Sequence, residues 1–520
     1  MVPLVIDGKS LRIEDVVAVA LKDAPVEVSP EAWERVDQAA GMVERFVREG
    51  RMIYGVTTGY GALSSIIIPR EKAGILQRNL ILSHSAGTGS AAPREVVRAT
   101  MLLRANTLVR GNSGVRRSTV GRLLSMLNAH VHPVIPEVGS VGASGDLAQL
   151  AHVVLAMMGE GAAEYRGEVL PAREALILGG VGQSELSHKE GVALINGTAF
   201  MTGVGALAVF RAECALRCAE VAAAMSFEAL HGIADALESE VHSARPHAGQ
   251  ADSAANLRRL LHGSELVLWG PEVEERRMKV QDAYSLRCAP QVLGAVRDAL
   301  AYARRAVEVE MNSSVDNPLL FPDSDRCLSG GNFHGQPVAL AMDLMGLSMC
   351  SVGNIAERRV SRLVDPKLSE GLPAFLVHPD VEQGLHNGLM LTQYTAAALA
   401  SECKVLAHPS SVDTIPTSAG QEDHVSMGAS AARNASCIVE KVEGVVGIEL
   451  LCAAQALDLR LMQKNLRLGD GTAAAHRAIR EKIPVLKEDR ALYRDIRAAT
   501  DLVRDGVVLK AVVDAVGALA

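Results

Sequence analysis

Between long apolar stretches the sequence carries four polar, glycine-rich segments: Tyr54–Gly61 (YGVTTGYG), Gly139–Asp146 (GSVGASGD), Gly330–His334 (GGNFH) and His408–Met427 (HPSSVDTIPTSAGQEDHVSM). Loops of this kind, held by rigid elements, are where chemistry is usually placed. Gly142-Ala143-Ser144-Gly145-Asp146 admits two readings. A turn could place Ser144 or Asp146 as the cap of the helix that follows. Alternatively, Gly145 has no side chain to obstruct its nitrogen, so a compressed backbone could bring that nitrogen onto the Ala143 carbonyl and close a five-membered ring. Loss of water, including the Ser144 hydroxyl, then leaves an electrophile. A serine nucleophile on a sharp elbow is excluded, because Ser144 is followed directly by Gly145. Taken singly, His84 in LILSHSAGTG fits a hydrogen-bonded structural histidine, Arg287 in QDAYSLRC a surface or ion-pair arginine, and Gln421-Glu422-Asp423-His424 a capping loop. Taken together, all of these plain readings have to hold at once.

Composition narrows the classes. The 520 residues, 48% hydrophobic and 22% charged, are globular in character, which excludes a disordered tail or a collagen-like chain. A formal net charge of −8 and only 3% aromatic residues argue against a phosphate-backbone binder or a base-stacking platform, so no nucleic-acid partner is expected. The start, MVPLVIDGKS, lacks the basic and apolar parts of a secretion signal, and no run of about 18 apolar residues escapes a charge or a turn signal. We therefore expect a cytoplasmic chain with no membrane partner. The eight cysteines are scattered. Cys214 and Cys218 stand four apart with no further ligands for zinc, so free, mostly buried thiols and no metal site are expected. GVGALA (Gly203–Ala208) matches a relaxed dinucleotide fingerprint but lies in a helical pattern after a polar run, and the Tyr54 loop lacks Gly-Lys-Ser/Thr. Neither reads as a nucleotide site. The charged stretch Glu272–Lys279 reads as a solvated face.

These loops need a frame, and helical periodicity dominates it. After Asp146 the apolar positions Leu147, Leu150, Val154, Leu155 and Met158 repeat at helical spacing up to a Gly-Glu-Gly break. Longer Ala-, Leu- and Val-rich stretches run from about Gly203 to Ala234, Ala289 to Asn312, Val338 to Val364, Leu389 to Leu406 and Ser430 to Leu457. Long helices with apolar faces must bury them against each other, which predicts a mainly α fold, an elongated bundle of antiparallel helices. Strand-like segments are short, such as Leu4–Ile6 and Glu168–Pro171, and sit near the N-terminus.

Jointly, the segments resemble the ammonia-lyases and aminomutases that carry the methylidene-imidazolone (MIO) prosthetic group. The resemblance runs from YGVTTGYGAL (Tyr54–Leu63) through GSVGASGDLAQLAH, ALINGT (Ala193–Thr198), VQDAYSLRCAPQ, NSSVDNPL and GGNFHGQP to VDTIPTSAGQEDHVSM. It implies that Ala143-Ser144-Gly145 cyclises on its own to 4-methylidene-imidazol-5-one, so that neither pyridoxal phosphate nor a metal is required. It further implies Tyr54 as the base for the β-proton, Asn196 beside the prosthetic group or amine, and Tyr284 and Gln281 on one loop of the site. Arg287 pairs with the substrate carboxylate and Phe333 packs on the substrate. Ser83-His84, Met390 and Gln421–His424 resemble the histidine-acting members, with His84 and Glu422 reading an imidazole ring. A neutral imidazole presents one donor and one acceptor, which a histidine and a carboxylate can hold.

On that resemblance the reaction removes ammonia from L-histidine and gives trans-urocanate. Gly335-Gln336 and YGVTTGYG resemble tyrosine lyases and aminomutases instead, and Gln149 stands where the family commonly has proline. A tyrosine or phenylalanine lyase, or a 2,3-aminomutase, therefore stays open as the alternative. The resemblance also implies a homotetramer whose sites are built from several subunits. It implies a smaller mixed N-terminal MIO-bearing region, residues 1–205, followed by a helical bundle, residues 206–520.

Overall fold

The computed structural model describes residues 2–61, 65–270, 279–382, 384–464 and 466–520. Ala62, Leu63 and most of the charged stretch at 272–279 lie outside the described residues. Lys279 is described and is not solvated: its ammonium, 15% exposed, sits 2.7 Å from Asp282. An acidic neighbour within the same turn draws it inward.

The chain is mainly helical, and its strands are three or four residues long. It divides into two compact units. The first comprises Met1–Phe210, Ala303–Asp343 and Pro409–Arg433; the second comprises Arg211–Tyr302, Leu344–His408 and Asn434–Ala520. The first unit thus takes in two later segments of the chain and is not one contiguous stretch. The two later segments of the first unit carry the GGNFH and Gln421–His424 loops, so the polar segments of the sequence lie in one unit although they are far apart in the chain.

In the first unit the short strands pin loops. Leu4–Ile6 pairs in parallel with Val26–Val28, and Val131–Pro133, Ala162–Tyr165 and Glu168–Pro171 form an antiparallel sheet. Helix Pro30–Arg48 starts on Ser29, whose hydroxyl accepts the Ala32 N–H, with Pro30 in the first turn where its missing donor costs nothing. Its apolar face (Met42, Val43, Phe46) packs with Ile53, Val56 and Leu320, fixing the chain on both sides of Tyr54.

Helix Arg94–Val109 is buried continuously from Val97 onward. Its polar side chains must then find partners: Asn106 accepts the Gly8 N–H at 3.0 Å and donates to the Met311 carbonyl at 2.9 Å. The helix expected from about Gly203 begins earlier, at Ala199. Gly203 is interior to it, because a side chain there would come within 3.2 Å of the Thr100 nitrogen. The glycine permits close helix packing, and GVGALA offers no loop to a phosphate.

Helix Leu147–Met157 forms where its spacing predicts it, with Leu150, Val153, Val154 and Met157 inward. Helix Gly428–Gln463 runs past the expected end at Leu457. Arg460, which reads as a polar terminus, is buried and donates to the carbonyls of Ala229, Ser369 and Glu370 at 2.8–2.9 Å. Helices Ala199–Ala229 and Gln336–Val364 are long and apolar enough to cross a membrane by length and composition, and 78% and 56% of their most apolar windows are buried within the protein. All eight cysteines are free, but only Cys218, Cys403 and Cys452 are buried, four are half-buried and Cys437 is exposed. The expectation of mostly buried thiols is corrected, because several of these cysteines lie on the outward rows of helices.

Strand pairing sets His132 opposite Glu164. Nδ1 lies 2.6 Å from Glu164 Oε2, and Nε2 lies 3.0 Å from Arg98 Nη1. Arginine only donates, so Nε2 accepts and Nδ1–H points at the carboxylate. Burial, with the Arg98 charge adding to it and Glu164 opposing, pushes the imidazole pKa down to about 4 from 6.5. Between those values the unfolded chain holds one more proton here than the folded chain, so stability falls as pH is lowered through that window, by roughly 3 kcal/mol in all. The urea midpoint is expected to drop between about pH 6.5 and pH 4, and His132→Gln to flatten that drop.

Candidate active site

A cavity of about 1240 Å³ in the first unit is lined by Tyr54, His84, Ser144, Asn196, Phe333 and Glu422, among others. Its floor is the Gly139–Asp146 loop. Gly142 and Gly145 have φ of +70° and +73°, a region that glycine enters at little cost. A Cβ on Gly145 would stand 2.2 Å from the Gly197 carbonyl, so the two backbones touch. Asp146 N–H donates to Gly197 O at 2.8 Å, locking that contact. Ser140 Oγ lies 3.2 Å from Gly145 O and 2.9 Å from Asp146 Oδ1, bracing the turn from beneath.

Asp146 does sit at the start of helix Leu147–Met157, but its side chain makes no capping bond there. It accepts the Met201 N–H at 2.9 Å and so caps helix Ala199–Ala229 instead. The capping expectation is corrected: the compressed turn aims the carboxylate at the neighbouring helix. Burial pushes its pKa up to about 7, opposed by the Met201 and Ser140 hydrogen bonds and aided by the charge of Glu310.

The Ser144 side chain faces the cavity. Its hydroxyl donates to Glu422 Oε1 at 2.6 Å, and Thr417 Oγ1 donates to Glu422 Oε2 at 2.6 Å, so both carboxylate oxygens are fixed. Asn196 follows helix Glu190–Ile195. With its amide turned so that both polar atoms are satisfied, it donates to the Ser144 carbonyl at 3.0 Å and accepts the Asn317 N–H at 3.2 Å. Asn317 Oδ1 in turn accepts from Gly330 N–H at 2.8 Å, tethering the loop that carries Phe333.

Tyr54 OH accepts the Gly61 N–H at 3.2 Å, and its ring meets Tyr60 edge to face, centroids 6.2 Å apart. Burial pushes the Tyr60 phenol well up, so it stays protonated. His84 ends helix Ala73–His84. Burial lowers its pKa, against a hydrogen bond to the Leu80 backbone and the charge of Glu422, which keeps the ring neutral near neutral pH. His334 stacks on His424, rings 8° from parallel, and its Nε2 donates to the His424 carbonyl at 3.2 Å.

The chain thus brings Tyr54, His84, Ala143, Ser144, Asn196, Phe333 and Glu422 to one cavity. Gly145 lies behind it, packed on Gly197. Gln281, Tyr284, Arg287 and Met390 belong to the second unit and do not line this cavity. Arg287 donates to Gln281 Oε1 and stands 4.9 Å over the ring of Tyr284, which is 71% exposed. Sequence reasoning gave no role to Tyr60, Asn317 or Thr417. All three lie in segments singled out in the sequence, but only the folded loop sets Thr417 across from Glu422.

Comparison with known proteins shows that the chain is a carbon–nitrogen lyase. Over 506 residues the chain is 51% identical to the histidine ammonia-lyase of Caldanaerobacter subterraneus subsp. tengcongensis, covering 97% of each. Among solved structures it resembles the histidine ammonia-lyase of Trypanosoma cruzi (42% identity, TM-score 0.91, 99% and 96% covered). It also resembles the tyrosine aminomutase of Streptomyces globisporus (38% identity, TM-score 0.95, both chains fully covered). The aromatic amino acid lyase model matches residues 11–481, and the chain belongs to that family.

Gly145→Ala places a methyl group into the Gly197 backbone at positive φ, and is expected to lower unfolding free energy by about 2 kcal/mol or more. An unchanged urea midpoint would contradict the backbone contact.

Proposed function

We propose that this enzyme eliminates ammonia from L-histidine, giving trans-urocanate, at an MIO group made from Ala143-Ser144-Gly145. The observation that carries the reading is the pairing of His84, held neutral, with Glu422, fixed by the Thr417 hydroxyl at 2.6 Å, in one cavity. That pair offers a substrate imidazole a partner for each ring nitrogen, whereas a phenyl ring would leave both groups without one. The histidine ammonia-lyase relatives support the same substrate.

The tripeptide fits the prosthetic group. Gly145 adopts a conformation that only glycine enters readily, its surroundings exclude any side chain, and Asn196 already holds the Ser144 carbonyl. When formed, the group supplies an electrophilic carbon for the amine and so a better leaving group. The chain's own residues do the rest. The Tyr54 oxygen, as the phenolate, receives the β-proton and becomes the phenol. Phe333 packs on the substrate and closes one wall against water. Arg287 pairs with the substrate carboxylate through two parallel hydrogen bonds, a geometry lysine does not reproduce. Gln281, Tyr284 and Met390, which like Arg287 do not line this chain's cavity, serve the site of another subunit in a cytoplasmic homotetramer.

The alternative, a tyrosine or phenylalanine lyase or a 2,3-aminomutase, draws on Gly335-Gln336 and on the likeness to the tyrosine aminomutase. A substrate panel with product identification separates the readings: urocanate from histidine supports the first, and a β-amino acid product selects the mutase. Ser144→Ala is expected to keep the fold, since one loop hydroxyl adds little to the core. Its intact mass should no longer show the loss of two waters, and turnover should fall by orders of magnitude. His84→Leu is expected to shift the preference toward phenyl substrates; an unchanged ratio of kcat/KM values would defeat the imidazole assignment.

A further inference from the structure

Helix Glu190–Ile195 is short, and both of its ends are tied. Before its first turn Lys189, held at φ +66°, sets its ammonium 2.7 Å from Asp316 Oδ2, and both side chains are 0% exposed. Glu190, also buried, accepts from Arg116 Nε at 3.0 Å, Arg116 Nη2 at 2.7 Å and Thr119 Oγ1 at 2.6 Å. Beyond its last turn stands Asn196, with its amide on the Ser144 carbonyl and on the Asn317 N–H. Asn317 follows Asp316 directly, and its N–H also lies 2.7 Å from Asp316 Oδ1.

The contacts close a ring. It runs from Lys189 along the helix to Asn196, across to Asn317, and back through Asp316 to Lys189. Arg104 spans the ring from behind, donating to the carbonyls of Val315 at 3.0 Å and of Ala193. Neither Lys189 nor Asp316 lines the cavity. An ion pair removed from water is a poor source of stability, because desolvating both charges costs about as much as their attraction returns. It does impose a single geometry on what it joins. Slack in this ring would reach Asn196 first and, through it, the carbonyl of Ser144.

We propose that Lys189 and Asp316 are positioning residues for the elimination: their buried ion pair sets Asn196 on the Ser144 carbonyl. The inference rests on the function proposed above.

Two variants test it in the full-length protein. Asp316→Asn keeps the shape and removes one charge; Lys189→Met with Asp316→Asn removes both. Each is compared with the parent by melting, by intact mass for the loss of two waters, and by kcat and KM on whichever amino acid the parent turns over. Both variants should melt cooperatively, with kcat down about tenfold or more and KM within about threefold, the signature of a misplaced site. The two-water loss is expected to be slower or incomplete. A smaller fall in kcat, or a change confined to KM, overturns the proposal. If the double variant does not fold, Asp316→Asn alone decides. If Asp316→Asn does not fold, the pair is an element of stability, and the proposal is overturned as well. A parent chain that keeps both waters or ignores histidine counts against the proposed function instead, and shows this before any variant is compared.

Discussion

The structure of the site depends on two stretches of backbone meeting where neither has room for a side chain. Gly145 lies on Gly197, and a Cβ on Gly197 would itself fall 2.3 Å from Arg104 Nη1 and 2.7 Å from Val315 O. Gly197 is therefore enclosed from both sides. The turn cannot relax away from Gly197, because the Asp146 N–H is bonded to it and Ser140 holds the other face. Within this compressed turn Ser144 is the residue whose side chain faces the cavity, and the polar groups around it are arranged to meet it.

That arrangement relies on buried ionisable groups. Asp146 and Glu310 are both raised by burial, Arg104 is lowered by it, and Lys189 and Asp316 are wholly enclosed. Such groups contribute little net stability. Their value is directional: Asp146 binds the start of helix Ala199–Ala229, and Arg104 couples the Val315 carbonyl to helix Glu190–Ile195. The apolar clusters, such as the one around Phe46, supply the cohesion, and the charges fix where the loops stand.

The helices were readable because their apolar spacing is a local property. Leu147–Met157 and Ala289–Met311 lie close to where periodicity places them. The ends were misread wherever packing used a residue against its usual role: Gly203 sits inside a helix because a neighbouring helix comes close, and Arg460 extends one because its guanidinium is buried. In the site, Ser144, His84 and Glu422 were legible as parts of polar motifs between apolar runs. Local spacing offers Ser144 or Asp146 as a cap of the following helix, whereas the partner of the Asp146 carboxylate, Met201, is distant in sequence. Asn317 and Thr417 act through contacts that only the fold creates. That Arg287 and Tyr284 do not line this cavity is a matter of the path of the chain, about which local spacing says nothing.

The hydrogen bond between Ser144 and Glu422 joins residues 278 positions apart. At ordinary rates of translation the ribosome needs roughly 14–56 s to travel that distance. During that interval the nascent polypeptide holds the serine without its carboxylate, while the glycine contact with Gly197 is available much sooner. The glycine turn can therefore close early in synthesis, whereas the pocket is complete only when most of the chain has emerged. A reactive carbon formed under the control of the completed pocket would never be displayed on an unfinished chain.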